Sequence, residues 1–86
     1  MGRKVRVREI EGKFIVVVKG GVEEGIIEKL QEKILGYLKA LGHFAVASKI
    51  TKRGEVFWFK IVPRELRPGL EEAIELIGNQ FLENPK

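Results

Sequence analysis

The sequence contains no cysteine and no aspartate, and it has a single histidine. The absence of cysteine excludes disulfide bonds and cysteine-ligated zinc. A carboxylate-bound metal would have to use glutamate alone, and most of the glutamates fall on helical patterns that are typical of solvated surfaces. The usual nucleophiles and bases are reduced to Ser48, Thr51 and His43. We therefore predict a protein that is not an enzyme and that uses no metal or cofactor.

Long apolar runs are also lacking. No stretch approaches the roughly 20 residues of a membrane-spanning helix, and the basic start "MGRKVRVREI" is not followed by the apolar core of a signal peptide. We expect a soluble, intracellular protein of the cytoplasm. A chain of 86 residues accommodates one domain, 1–86, with a single core between two layers. Any function is then expected on its surface or in an interface between subunits.

Charged residues make up 33% of the chain, while amide side chains are few. A polar surface dominated by lysine and glutamate is typical of heat-adapted proteins. The net charge is +4 and the isoelectric point is near 9.6, which favours an anionic partner.

Two similar segments follow one another along the chain. In "KVRVREIEGKFIVVVK" two runs of β-branched residues flank Glu11-Gly12, and "HFAVASKITKRGEVFWFKIV" repeats the pattern around Arg53-Gly54. Each predicted hairpin precedes a helix with apolar residues at helical spacing, which are Val22, Ile26, Ile27, Leu30, Ile34, Leu38 and Leu41 in the first and Leu70, Ile74, Ile77, Phe81 and Leu82 in the second. The pattern predicts an α+β fold of order ββαββα, in which both helices cover one face of a two-layer, four-stranded, mostly antiparallel sheet.

Hairpin register then assigns side chains to the two faces. A two-residue turn at Glu11-Gly12 places Lys4, Arg6 and Arg8 opposite Lys19, Val17 and Ile15, and leaves Val5, Val7, Phe14, Val16 and Val18 for the core. A turn at Arg53-Gly54 predicts a core side made of Phe44, Val46, Ser48, Ile50, Phe57, Phe59 and Ile61. The other side would carry Ala45, Ala47, Lys49, Thr51, Val56, Trp58, Lys60 and Val62, with Trp58 opposite Lys49.

Positive and negative charges are concentrated in different segments of the chain. Segments 1–20 and 43–67, which contain the hairpins, each have a net charge of +4. The helical segments 21–42 and 68–86 have net charges of −1 and −3. The positive charge therefore belongs to the sheet.

A basic sheet with an exposed aromatic ring is typical of proteins that bind single-stranded nucleic acid, because cations contact the phosphates while a ring stacks on a base. On this hypothesis Trp58 stacks and Arg6, Arg8, Lys49 and Lys60 contact the backbone. The track of cations is extended by Lys4, Lys19, Lys52 and Arg53.

The same side of the sheet is also consistent with other functions. Its apolar residues, Ile15, Val17, Val56, Trp58 and Val62, could form the interface of a homodimer or larger homo-oligomer, or bind another protein. We expect the protein to assemble as a homo-oligomer, a dimer or larger, and such a dimer could also build a basic groove between its subunits. A small enzyme that works at a subunit interface through His43 and a glutamate is a further alternative, and "PRELRPG" offers Arg64 and Arg67 either as anion contacts or as solubilising charges.

The segments "KVRVREIEGKFIVVVK" and "GEVFWFK", with the heat-adapted composition, resemble the archaeal ThermoDBP-related single-stranded DNA-binding proteins. In that family a sheet-lined cleft with basic and aromatic residues holds the strand. The resemblance implies binding of single-stranded DNA without chemistry, in an oligomer. This chain has no long C-terminal zipper, so an oligomer would have to form through the domain itself. Nothing in the sequence bears on the 2′-hydroxyl, so RNA stays an alternative.

Overall fold

Two helices and an antiparallel sheet of five strands make up residues 4–83, which are the residues described by the computed structural model. The elements are β1 Val5–Ile10, β2 Lys13–Val18, α1 Glu24–Ala40, β3 Ala45–Ala47, β4 Thr51–Arg53, β5 Val56–Pro63 and α2 Leu70–Glu83. The strand order is β1-β2-β5-β3. Strand β4 also pairs with β5, on the same edge as β3 but farther along that edge. No helix within residues 4–83 is long and apolar enough to cross a membrane.

The first hairpin has the predicted register. Arg8 pairs with Ile15 and Arg6 with Val17. The turn residues Glu11 and Gly12 both have positive φ, 51° and 79°, as a type I′ turn requires. This turn has the same right-handed twist as its strands, and it fixes which side chains of β1 and β2 point toward the helices.

One core joins one face of the sheet to both helices, as predicted. It contains Val5, Val7, Phe14, Val16, Val18, Phe57, Phe59 and Ile61 from the sheet and Ile27, Leu30, Ile34, Leu38, Leu70 and Ile74 from the helices. Leu41, predicted as the last residue of the first apolar stripe, is instead 52% exposed. Helix α1 ends at Ala40, and Gly42, with φ 82°, turns the chain away from the helix axis.

The second hairpin differs from the prediction, since five strands replace the predicted four. Between the pairs Ala47–Ile61 and Thr51–Trp58, three residues (48–50) lie opposite two (59 and 60), which is a β-bulge. At the bulge, the Ser48 hydroxyl accepts a hydrogen bond from the Lys60 N–H at 2.8 Å, and the Ser48 N–H donates to the Lys60 carbonyl at 2.9 Å. The bulge divides the predicted third strand into β3 and β4.

Because the bulge adds one residue, the side chains of residues 44–47 point to the face opposite the predicted one. Phe44 and Val46, predicted for the core, are 53% and 67% exposed. Ala45 and Ala47, predicted for the other side, pack against the core. Helix α1 lies against β3, and a close approach of helix and strand leaves room for the small alanine side chains rather than for a phenylalanine ring.

The turn of this hairpin is also displaced. Arg53 pairs with Val56, so the turn residues are Gly54 and Glu55 rather than Arg53 and Gly54. Gly54 has φ 66° at the first central position, the pattern of a type II′ turn. The shift moves the pairing by two residues, which preserves the face of Trp58 but puts Thr51 opposite it in place of Lys49.

Helix α2 closes the outer edge of β1 with its side chains. Residues four apart on a helix are about 6 Å apart along its axis, close to the roughly 6.6 Å between alternate residues of a strand. Three side chains of α2 accept hydrogen bonds from alternate N–H groups of β1, namely Asn79 from Val5 at 3.0 Å, Glu75 from Val7 at 3.1 Å and Glu71 from Glu9 at 2.8 Å. Gly78 permits this approach, since a Cβ there would lie 2.8 Å from Val5 Cγ1.

Candidate nucleic-acid interface

The face of the sheet opposite the helices is called the open face here. By register its strand positions are Arg6, Arg8, Ile10, Lys13, Ile15, Val17, Val46, Thr51, Arg53, Val56, Trp58, Lys60 and Val62. All of them are exposed or partly buried, and none is fully buried. Five are cationic and none is acidic.

Trp58 lies near the middle of the open face. On one side it pairs with Val17, which pairs in turn with Arg6, and on the other side it pairs with Thr51. Because adjacent strands are about 4.8 Å apart, Trp58 and Arg6 are about 10 Å apart across the sheet. The sequence had left the strand order open, and the order β1-β2-β5 puts the ring in one row with a guanidinium.

The neighbouring row continues the pattern of cations. Lys60 pairs with Ile15, which pairs with Arg8. The Lys60 Nζ lies 6.0 Å from the centroid of the Trp58 ring, at the limit of a cation-π contact. Trp58 and Lys60 are both partly buried, so the ring is held among its neighbours but keeps part of its surface accessible.

The cations of the open face are not neutralised by carboxylates among the described residues. Within residues 4–83 the salt bridge that the structure contains joins Arg67 to Glu65, at 3.0 Å. Arg6, Arg8 and Lys60 form none within that range. Their charge is therefore available to an anionic partner.

The structure brings together most of the predicted site residues. Arg6, Arg8, Arg53, Trp58 and Lys60 all share the open face. Beyond the strand ends, the Lys19 N–H donates to the Lys4 carbonyl at 2.9 Å, which continues the first hairpin on the side of Arg53.

Two predicted residues are placed elsewhere. Lys52 pairs with the core residue Phe57, and its Nζ lies 5.4 Å from the centroid of that ring, so it belongs to the side of the sheet that faces the helices. Lys49 lies in the bulge, outside the strands, and is not opposite Trp58. The displaced turn and the extra residue account for the error at Lys49.

Three residues that sequence reasoning did not place on this side belong to it or border it. Val46 is on the open face because of the bulge. Phe44 and Arg64 follow the same register, since the Arg64 N–H donates to the Phe44 carbonyl at 2.8 Å. A serine in the middle of a strand pattern was the one sequence feature that could have indicated the bulge.

His43 has a structural role through its main chain. Its N–H donates to the Leu38 carbonyl at 2.8 Å and completes the C-terminal cap of α1. Across the part of the chain that is described, no three histidine or glutamate side chains are grouped closely enough to hold a metal ion.

Comparisons with family models, with curated proteins and with solved structures found no match to this chain. The function of the open face must therefore be inferred from its own side chains.

Proposed function

We propose that the open face binds single-stranded nucleic acid, without chemistry. The observation that carries this proposal is the position of Trp58, at the centre of a face with five cationic and no acidic strand positions. A ring in such surroundings can stack on an unpaired base while the cations contact the phosphates on either side. Stacking of this kind contributes about 1 to 3 kcal/mol per base and tolerates any sequence.

The arginines and lysines have different parts in this proposal. The side chains of Arg6 and Arg8 are exposed on β1, where their planar guanidinium groups can each hold a phosphate through two hydrogen bonds. Lys60 lies beside the ring, so it would contact the phosphate next to the stacked base. Arg53, Lys4 and Lys19 would extend the contacts beyond the other side of Trp58.

The open face suits a nucleic acid better than a second copy of itself. In a twofold dimer each patch faces the same patch of its partner. Arg6, Arg8 and Lys60 of both copies would then be brought together without carboxylates to separate them, which is unfavourable. The sheet therefore favours a polyanion over self-association through this face, and the resemblance to the ThermoDBP-related proteins favours DNA over RNA.

Reversal of two charges on β1 tests the proposal. We expect the double variant Arg6→Glu/Arg8→Glu to bind a fluorescently labelled single-stranded oligonucleotide at least about tenfold more weakly. Each lost phosphate contact should reduce the slope of log K against log salt by about 0.7. Fluorescence anisotropy at several salt concentrations measures both quantities, and both side chains are exposed, so the fold should persist.

The matched control makes the same change of net charge on a different surface of the protein. Lys29 and Lys33 are exposed on α1, which covers the other face of the sheet. The double variant Lys29→Glu/Lys33→Glu should keep nearly all of the affinity. Equal losses in the two double variants would mean that only net charge matters, and unchanged affinity in Arg6→Glu/Arg8→Glu would remove β1 from the site.

A further inference from the structure

A second aromatic ring lies at the end of the open face, beyond β3. Phe44 is 53% exposed and lies opposite Arg64, whose N–H donates to the Phe44 carbonyl. Val46 and Val62 form the next pair and are 67% and 38% exposed. An exposed phenylalanine beside two exposed valines is an apolar patch that no other described part of the chain covers.

An open cavity of about 320 Å³ adjoins this ring. Its lining residues are Gly42, His43, Phe44, Arg64, Glu65 and Arg67. The volume lies at the lower end of the range for small-molecule sites, which is about 300 to 1,000 Å³. The cavity is therefore large enough for one flat ring beside Phe44.

The charges around the cavity favour an anion. Arg64 and Arg67 outweigh Glu65, which gives a formal charge of +1 with the histidine neutral. The Glu65 carboxylate accepts hydrogen bonds from Arg67, at 3.2 Å from Nε and 3.0 Å from Nη2. Both side chains are more than half exposed, so this ion pair is weak and Arg67 can exchange the carboxylate for a phosphate.

The position of Phe44 also relates it to Trp58. From Trp58, the side chains of Lys60 and Val62 follow one another on the same side of β5. Arg64, just beyond the end of the strand at Pro63, continues this register through its hydrogen bond to Phe44. Six residues at about 3.3 Å each separate Trp58 from Arg64, a distance of about 20 Å. Cationic and apolar side chains alternate along this line, which ends at the second ring.

We propose that Phe44 is a second stacking site, which takes a nucleotide of the same strand that stacks on Trp58. Arg64 and Arg67 would hold the phosphate of that nucleotide. The bound strand then runs along β5, from the turn at Gly54 toward the cavity, rather than straight across the sheet. This inference rests on the proposed function. It adds the direction of the bound strand, and it requires a ligand long enough to span the distance of about 20 Å between the two rings.

The length of the oligonucleotide provides the test. Labelled oligothymidylates, from the dinucleotide up to about 16 nucleotides, are titrated against wild type and Phe44→Ala by fluorescence anisotropy. The variant should bind the longest oligonucleotides about tenfold more weakly, a typical loss for a stacking ring replaced by alanine. It should bind the shortest as wild type does, since these reach Trp58 alone. Leu76→Ala, which truncates an equally exposed apolar residue on α2, is the matched control and should change neither.

A relocated fluorophore gives an independent readout. In the double variant Phe44→Trp/Trp58→Phe the tryptophan reports on the second site, and its emission should be quenched by long oligonucleotides but not by the shortest. Equal affinity of Phe44→Ala and wild type at every length, with Trp58 still quenched in wild type, would overturn the second site and leave the proposed function intact. If wild type bound no oligonucleotide of any length, both would fail.

Discussion

Phe59→Ala is expected to lower the free energy of unfolding by about 3 to 5 kcal/mol, the usual cost of removing a buried phenylalanine ring. The Phe59 side chain is fully buried, whereas its neighbour Trp58 lies on the other face and is only partly buried. Trp58→Ala should therefore cost about 1 kcal/mol or less, which includes its weak contact with Lys60. Urea denaturation followed by far-ultraviolet circular dichroism measures both, because this signal does not depend on the tryptophan.

A less destabilising substitution of Phe59 is needed if the domain has low stability. A small domain is stable by only about 5 to 15 kcal/mol, so Phe59→Ala can unfold much of the protein. Phe59→Leu keeps most of the buried volume and should still be clearly less stable than wild type. If Trp58→Ala were as destabilising as Phe59→Ala, the assignment of the two faces of the sheet would be wrong.

Asn79→Ala is expected to lower the free energy of unfolding by about 2 to 4 kcal/mol. The Asn79 side chain accepts hydrogen bonds from the N–H groups of Lys4 and Val5 and donates to the carbonyls of Val5 and Glu75, all at 2.9 to 3.0 Å. Without it, the N–H and the carbonyl of the buried residue Val5 lose their partners, at about 1 to 3 kcal/mol each. Urea denaturation measures the loss, and hydrogen exchange should show faster exchange of the Val5 amide.

Two further variants separate the hydrogen bonds from general effects on the helix. Gln80→Ala removes the same amide group from the next, exposed position of α2 and should have an effect below about 0.5 kcal/mol. Asn79→Asp keeps the acceptor but cannot donate to the Val5 carbonyl, so it should also destabilise. A free energy for Asn79→Ala close to that for Gln80→Ala would contradict this docking of α2 on the edge of β1.

The first hairpin could be predicted from the sequence because every local preference agreed. Glu11-Gly12 is a favoured two-residue turn, and the residues on either side alternate between apolar and basic in β1. The turn then fixes the register that puts Val5 and Val7 on the same face of the sheet as the apolar residues Phe14, Val16 and Val18 of β2. The core residues of β1 and β2, and with them the positions of Arg6 and Arg8, followed directly.

The second hairpin could be predicted only in part. In β5 the large residues Phe57 and Phe59 identified the core face, so Trp58 was placed correctly on the other. Residues 44–47 are all apolar, and a continuous apolar run does not show which side chains are buried. The bulge at Ser48 then decided the face, through a hydrogen bond from a main-chain group of β5 that no spacing in the sequence reveals.

The hydrogen bonds between α2 and the edge of β1 could not be predicted from the sequence, for a different reason. Glu71, Glu75 and Asn79 recur every four residues on one side of the helix, which is also the pattern of an ordinary solvated surface. Their role depends on the strand order and on Gly78, which lets the helix approach β1. Such contacts arise from tertiary packing and could not be read from either element alone.

The intrinsic fluorescence of Trp58 tests the binding function of the open face most directly. The chain has no other tryptophan, so its emission reports on this position alone. A single-stranded oligonucleotide is titrated into the protein at low and at moderate salt, with a duplex of the same sequence as the comparison. Stacking on a base should quench the ring, and the affinity should fall as salt rises, with a slope of about −0.7 for each phosphate contact.

We expect quenching by the single strand that is strongest at low salt, and much weaker quenching by the duplex, whose bases are already stacked. A blue-shifted emission in the free protein, unchanged by any oligonucleotide at either salt concentration, would contradict the proposed function. It would show that Trp58 is covered by another protein surface, and that the open face serves assembly rather than the binding of nucleic acid.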